Sequence, residues 1–234
     1  MKKLKTILIL SLSAIILLAV SGGMVFAQEI VTADRYMEIV AERYGSIRDY
    51  EANVAIRSGN TDMVGSMSFL DPSFMRIDFT RPAEQVISFN GEQLTVYLPE
   101  FRVTLNQEVS SRGSAVAGAS LASSQGLNLL RRNYIPSFVS GPAPVPLDER
   151  TRDMVVKIRL TRRTASENFR EIILSIDPET RLIRRMEGRT VADALVTFDF
   201  TNIRTNLGIP PARFIYVPPS TANMVNNFLF RDND

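Results

Sequence analysis

Hydrophobic and polar residues alternate along most of the chain, and this period of two predicts β-strands that bury one face. One early stretch differs, because apolar residues from Tyr36 to Ile47 recur at spacings of three and four. That spacing predicts an amphipathic helix lying on an apolar surface. Thr32 or Asp34 can cap the start of this helix, and Gly45 weakens its end.

About eleven alternating runs follow, separated by short turn-forming segments. Asn90-Gly91 is the strongest hairpin signal among them, because a type I′ turn needs positive φ at both central residues. The runs are YEANVAIRS, DMVGSMSFL, FMRIDF, EQVISFN, QLTVYL, RVTLNQ, MVVKIRLTRR, FREIILSID, RLIRRMEG, ALVTFDFTNI and RFIYVPP. The pattern predicts one large antiparallel sheet that is strongly curved or closed.

A segment of different composition interrupts the strands at about residues 109–149. Ser110–Gln125 is mostly Ser, Ala and Gly, and Ser140–Glu149 is rich in proline. Between them, Leu127, Leu129 and Leu130 could anchor one or two loosely held helices. Long irregular segments in compact domains are usually functional lids or disordered. A mobile lid and a flexible spacer therefore both remain open.

The N-terminus has the three-part pattern of a secretory signal peptide. Three lysines precede an uncharged apolar run from Ile7 to Val20. Val25 and Ala27 then occupy the small-residue positions before a cut ahead of Gln28. We favour a cleaved signal peptide at residues 1–27 over an uncleaved anchor, which leaves one domain at residues 28–234.

Cleavage changes the charge balance of the chain. Without the three N-terminal lysines, 24 of the 27 basic residues remain against 25 acidic ones, a net charge of −1. Arg131–Arg132, Arg162–Arg163 and Arg184–Arg185 are isolated pairs without aromatic neighbours, which is typical of solvated faces. The sequence therefore gives no support for a nucleic-acid partner.

Cysteine and histidine are both absent, which excludes disulfides, thiolate or imidazole metal sites and the commonest nucleophile–base pairs. The carboxylates have no spacing that demands a shared site, and no phosphate-binding glycine loop is present. We therefore expect neither an enzyme nor a cofactor or metal. An exported chain without disulfides fits a bacterial periplasm.

The period-two arrays are the candidates for function. They either fill an ordinary core or line a cavity, and recurring methionines, whose flexible thioethers re-pack around varied guests, favour a cavity. The candidate cavity residues are Met67, Phe69, Met75, Ile77, Phe79, Leu94, Val96, Leu98, Val156, Ile158, Phe198 and Phe200.

The order of these features resembles one known family. A strand and a proline precede the apolar strand Phe74–Pro82, and a further strand, Asn90-Gly91 and Tyr97–Pro99 follow. Near the end, "ALVTFDFTNIRTNLGIPPARFIYVPP" has matching positions at Phe198, Asn202, Asn206, Phe214 and Pro218-Pro219. This order, over nearly the whole chain after residue 27, is similar to that of the LolA-type outer-membrane lipoprotein carriers.

The resemblance implies a mainly β fold with α-helices: an incomplete, strongly curved antiparallel barrel covered by the N-terminal helix and a helical lid. It implies a monomeric periplasmic carrier that binds the acyl chains of lipoproteins and ferries them to the outer membrane. Its partners would be acylated lipoproteins and an inner-membrane ABC-type release complex, with an outer-membrane receptor left open. The alternatives are a lipid-sensing or glycolipid-binding module of the same fold, and an interaction domain with a filled core.

One position departs from the family pattern. The family places an arginine just before the first proline of this motif, where it is thought to hold the lid closed. Here that position is Asp71. The resemblance therefore predicts either that a different contact holds the lid of this protein or that its open form is more populated than in those relatives.

Overall fold

A computed structural model describes residues 31–108, 123–149 and 151–228. The predicted signal peptide and residues 109–122 of the predicted insert lie outside the described residues. Two α-helices fall within the described ranges, α1 (Ala33–Gly45) and α2 (Ser124–Asn133). The strands there are β1 (Asp49–Ser58), β2 (Thr61–Leu70), β3 (Phe74–Arg81), β4 (Val86–Phe89), β5 (Gln93–Leu98), β6 (Val103–Glu108), β7 (Tyr134–Phe138), β8 (Val145–Pro146), β9 (Met154–Arg162), β10 (Phe169–Ile176), β11 (Ile183–Thr190), β12 (Leu195–Thr205) and β13 (Asn223–Asn226).

The strands form one open, curled sheet in the order β13-β6-β5-β4-β3-β2-β1-β12-β11-β10-β9-β7, with β8 paired to β9. Neighbouring strands are antiparallel, except that β13 runs parallel to β6. Central strand β1 joins the two halves of the chain, because it pairs with β2 on one side and with β12 on the other. The predicted curved, mainly β architecture is confirmed.

The prediction of a last strand at RFIYVPP is wrong. Pro211–Phe214 forms a 3₁₀ turn, and the residues after it cross the sheet without joining it. Four prolines between Pro210 and Pro219 supply no N–H donors, so this stretch is poorly suited to a ladder. Three strands were not predicted: β7 and β8 inside the insert, and β13 near the C-terminus.

Helix α1 lies against the turn between β10 and β11. The Thr32 side chain accepts a hydrogen bond from the Arg35 N–H and so caps the start of the helix. The Tyr44 hydroxyl accepts one from the Ile183 N–H (3.1 Å), and burial raises the pKa of Tyr44 to about 12. The Tyr36 hydroxyl accepts another from Arg181 (2.6 Å). These contacts fix α1 to that turn.

Asp49 fixes the loop that leaves β12. Its two carboxylate oxygens accept hydrogen bonds from the N–H groups of Leu207 (2.6 Å) and Gly208 (3.1 Å). The loop needs this support because Asn206 and Gly208 both have positive φ, at 59° and 77°. The chain is thereby turned from the end of β12 onto the outer face.

The backbones of β2 and β3 approach closely at Gly65. A Cβ atom built on Gly65 would lie 2.4 Å from the carbonyl oxygen of Asp78 and 2.9 Å from the Cα of Phe79. The pairing of these strands also shifts register at this point. Only glycine fits such an approach without moving the backbone.

Candidate functional site

The concave face of the sheet is apolar, and the strand registers align its side chains in rows. One row runs Tyr50, Phe69, Met75, Phe89 and Leu94, across β1 to β5. The alternate residues face outward and are more polar. The two faces therefore differ in chemistry along the whole first half of the sheet.

One half of the concave face is a sealed core. Ile158, Leu160, Ile172 and Leu174, on β9 and β10, are between 0% and 1% exposed. They share a cluster with buried residues of both helices, such as Met37. This half has the density of an ordinary hydrophobic core.

The other half keeps accessible apolar surface. Six aliphatic side chains of β4, β5 and β6 face the concave side, yet each is only partly buried. We call them the open wall: Ile87, Leu94, Val96, Leu98, Val103 and Leu105. Two rows of paired residues begin at the buried Met67 and Phe69 of β2 and continue into the open wall.

The strand registers place all twelve candidate residues on the concave side, but with different burial. Eight are buried: Met67, Phe69, Met75, Ile77, Phe79, Val156, Ile158 and Phe200. Four are partly buried: Leu94, Val96, Leu98 and Phe198. The candidates on β5 therefore belong to the open wall, whereas those on β3 and β9 are packed into the core.

Three open-wall residues were not among the candidates: Ile87, Val103 and Leu105. In "VISF" both faces of β4 carry an apolar residue, so alternation alone does not choose between Val86 and Ile87. Pairing with β3 decides the question, because Ile87 lies opposite Ile77. The alternation of Val103 and Leu105 along "RVTLNQ" was a usable signal.

Of the three lid candidates, two are anchored in the core. Leu127 and Leu130 of α2 are 0% and 4% exposed, and Leu129 is partly buried. The Ser123 side chain caps α2, and Arg131 forms an ion pair with Asp34 of α1 (3.1 Å). The described part of the insert is thus a packed helix followed by two short strands.

Asp71 lies in the turn between β2 and β3 and is exposed. Its N–H donates to the Arg48 carbonyl (2.8 Å), and within the described ranges its carboxylate forms no ion pair. The lid contact that the resemblance implies for this position therefore has no counterpart among these residues.

The outer face of β3 to β5 is covered by a C-terminal segment, residues 209–217, which we call the outer strap. Phe214 is 1% exposed and packs on Phe74, with ring centroids 5.7 Å apart. The Ser88 hydroxyl donates to the Phe214 carbonyl (2.7 Å), and Tyr97 contacts Tyr216. The strap thus packs behind the strands whose concave sides carry much of the open wall.

Asp78 ties the outer strap to β3. Arg76 on the same strand and Arg213 on the strap both donate to its carboxylate, at 2.8 and 2.5 Å. Burial alone would raise the pKa of Asp78, but hydrogen bonds and charge from the two arginines outweigh burial and hold this pKa below its ordinary value.

We expect Asp78→Asn to lower the free energy of unfolding at neutral pH by about 1.5–3 kcal/mol, because it removes the negative charge and one of the two oxygens that accept hydrogen bonds from the arginines. A carboxylate with a lowered folded pKa stabilises the protein above its unfolded pKa, and this stability is lost as pH falls through the folded pKa. Urea unfolding at pH 7 should therefore separate variant and parent, and the difference should shrink below about pH 4. Asp62→Asn is the matched control, since Asp62 pairs with Arg81 on the exposed surface and should change stability by under about 1 kcal/mol. Equal effects of the two substitutions would contradict the assignment.

A depression on the outer face has a volume of about 340 Å³. Its lining is mostly polar: Glu51, Ala52, Asn53, Ser66, Met67, Ser68, Asn202, Arg204 and Arg213. A bound acyl chain would displace water from these polar groups without replacing its hydrogen bonds. This depression is therefore a poor site for an acyl chain.

In the parts of the chain that the structure describes, no group of three or more acidic side chains could hold a metal ion. None of the helices in these ranges is long and apolar enough to cross a membrane.

Comparison with known proteins identifies the fold and the family. The structure is similar to an uncharacterised conserved protein from Thermus thermophilus (TM-score 0.53, 13% identity, 81% of this chain and 98% of that chain). It is also similar to a structure described as the Pseudomonas aeruginosa MucA/MucB complex (TM-score 0.50, 14% identity, 82% of this chain and 63% of that chain). At these identities the likeness concerns the fold alone.

The sequence is 24% identical to an outer-membrane lipoprotein carrier protein from Bordetella avium, over 92% of this chain and 95% of the relative. A carrier of the same name from Nitrosospira multiformis is 24% identical over 69% of this chain and 72% of that protein. The family model for the outer membrane lipoprotein carrier protein LolA matches residues 57–217. Because this match covers more than half of the chain, the protein belongs to the LolA family of outer membrane lipoprotein carriers.

Proposed function

We propose that this protein is a periplasmic carrier that binds the acyl chains of lipoproteins against its open wall. The open wall is the observation that carries the proposal, because its six aliphatic side chains face the concave side without being sealed by the core. A wall of this kind offers a hydrocarbon chain dispersion contacts and relief from water, and it needs no hydrogen bonds.

The energetics of the cargo support such a role. At about 0.8 kcal/mol per methylene, an acyl chain of about sixteen carbons is destabilised in water by on the order of 12 kcal/mol. A lipoprotein crossing an aqueous compartment therefore needs a protein surface that replaces the membrane. Release needs no cofactor in the carrier, since the cargo and its partners can bias two conformations of similar free energy.

The names of the relatives and the predicted signal peptide support a route through the periplasm. We propose that residues 28–234 act as one monomeric carrier domain, which takes cargo from an inner-membrane ABC-type release complex and delivers it to the outer membrane. In this scheme α2 belongs to the lid, with Leu127, Leu129 and Leu130 as its apolar anchors. An outer-membrane receptor is compatible with the scheme and is not required by it.

Solvent extraction of the protein purified from the periplasm without detergent, followed by mass spectrometry, tests the proposal. We expect lipoprotein acyl chains, or uptake of a fluorescent fatty acid by the emptied protein. A lipid-free protein that takes up no fatty acid would contradict any lipid-binding role. Depletion in cells then separates a carrier from a lipid sensor of the same fold, because only loss of a carrier should strand lipoproteins at the inner membrane.

A further inference from the structure

Three arginines lie on neighbouring segments where the end of β9 adjoins the end of α2, at the strand ends away from the turn between β10 and β11. The Arg163 N–H donates to the Asn133 carbonyl (2.9 Å), and Arg162 is the register partner of Tyr134. The C-terminal end of α2, with Arg132, therefore lies beside the end of β9. Arg132 and Arg163 are exposed and Arg162 is partly buried. We call Arg132, Arg162 and Arg163 the arginine rim.

The arginine rim is not neutralised by ion pairs. Throughout the described ranges, no carboxylate lies within ion-pair distance of its three guanidinium groups. Burial and then Glu167 raise the pKa of the Tyr134 hydroxyl, whereas Arg162 lowers it. Arg131 differs from the rim, because it is paired with Asp34.

The surroundings of the rim keep the positive excess. Arg159 pairs with Glu171 (3.0 Å), and Arg170 and Arg189 share one carboxylate, that of Asp193. Residues 132–133, 159–171 and 189–195 hold six arginines and three carboxylates. The predicted mature chain has a net charge of −1, so positive charge is concentrated at this end.

Exposed aliphatic side chains flank these arginines. Ile135 next to the rim is 50% exposed. Val191, in the turn between β11 and β12, and Leu195, at the start of β12, are 55% and 43% exposed. That turn adjoins the turn between β9 and β10, because the Val191 N–H donates to the Asn168 carbonyl (3.2 Å). Arginines beside exposed aliphatic groups are typical of surfaces that lie on anionic membranes.

We propose that the arginine rim docks this protein on an anionic phospholipid surface, with headgroup phosphates bound by Arg132, Arg162 and Arg163. Guanidinium groups suit this role because they bind phosphate through two parallel hydrogen bonds and are weakly hydrated. An acidic protein would match the charge but would leave the flanking aliphatic groups without a partner. The docking surface lies at the strand ends and not on the open wall, so the inference goes beyond acyl carriage.

Vesicle sedimentation with the full mature protein tests the inference. The protein should bind vesicles of equal parts phosphatidylglycerol and phosphatidylcholine, and should not bind phosphatidylcholine alone. Binding should disappear as salt rises from about 0.05 M to about 0.5 M, because the Debye length shortens. Arg132→Glu/Arg163→Glu should weaken binding by about 25-fold or more, since each arginine near such a surface contributes about fivefold.

Arg48→Glu/Arg152→Glu is the matched control. It changes the net charge equally, and both residues are exposed and lie at the starts of β1 and β9, at the same strand ends as the turn between β10 and β11. This variant should retain most of the binding, and fatty-acid uptake should be unchanged in both variants. Equal loss of binding in the two variants, or no binding by the parent, would overturn the inference. Binding to polyglutamate without binding to vesicles would also overturn it, in favour of an acidic protein partner. The milder Arg132→Gln/Arg163→Gln variant replaces the charge reversal if the latter does not fold. It removes two arginines without adding negative charge, so it should lower binding about 25-fold.

Discussion

Val96→Glu is expected to abolish acyl-chain uptake in a protein that remains folded. Val96 is partly buried on the concave side, and its register partners are Ile87 and Leu105. A carboxylate at this position would face hydrocarbon without a hydrogen-bond partner, and the penalty is several kcal/mol. We therefore expect the affinity for a fluorescent fatty acid to fall by at least about 100-fold, as measured by titration.

Gln93→Glu provides the control on the same strand. Gln93 is also partly buried, but it alternates with Leu94 and so faces outward. The Gln93→Glu variant should bind fatty acid like the parent. If folded Val96→Glu takes up fatty acid as well as the parent does, this part of the open wall does not belong to the site.

Ile77 and Phe79 are less suitable positions for this test. They are 7% and 4% exposed, so a glutamate there would chiefly measure folding.

Gly65→Ala is expected to lower the free energy of unfolding by about 3 kcal/mol, a large effect for one methyl group. The added Cβ would lie 2.4 Å from a backbone oxygen of β3, and backbone cannot rotate away as a side chain can. Either β2 and β3 separate or their pairing is lost locally. Urea unfolding monitored by circular dichroism measures the change.

Gly45→Ala makes the same substitution where space is available. Gly45 is the last residue of α1, and its added Cβ would be in ordinary contact with the Ser124 side chain, at 3.4 Å. Stability should be unchanged or should rise by about 0.5–1 kcal/mol, because alanine is the better helix former. A Gly65→Ala variant as stable as this control would refute the close approach of β2 and β3.

Much of the fold follows from local patterns in the sequence. Strands such as β3 and β9 have regular alternation between turn-forming residues, and α1 has clear three- and four-residue spacings. The errors arise where tertiary contacts decide. Phe214 and Tyr216 alternate like strand residues, but they pack on the outer face of the sheet instead of pairing in it. Conversely, "NMVN" has four exposed residues and becomes β13 only because the edge of β6 is available.

The candidate site could be predicted only in part, for a similar reason. Ile77 and Val96 have the same alternating pattern, yet one is buried in the core and the other lies on the open wall. The difference depends on where α1 and α2 pack on the sheet, and the local sequence pattern does not predict this.

The arginine pairs give a second example. Arg132 and Arg163 are 31 positions apart in sequence, and the Asn133–Arg163 hydrogen bond brings their segments together.

The central position of β1 also constrains how the chain can fold. Ile56 of β1 pairs with Phe198 of β12, which lies about 140 residues later in the sequence. The central strand β1 therefore cannot complete its pairing until β12 is available. Contacts this distant in sequence slow folding, because a long loop must close before they form. A chain that emerges N-terminus first therefore holds β1 to β6 as an incomplete sheet, with apolar surface accessible, until β12 arrives. Over this interval the apolar face and free edges of the incomplete sheet are expected to bind folding chaperones.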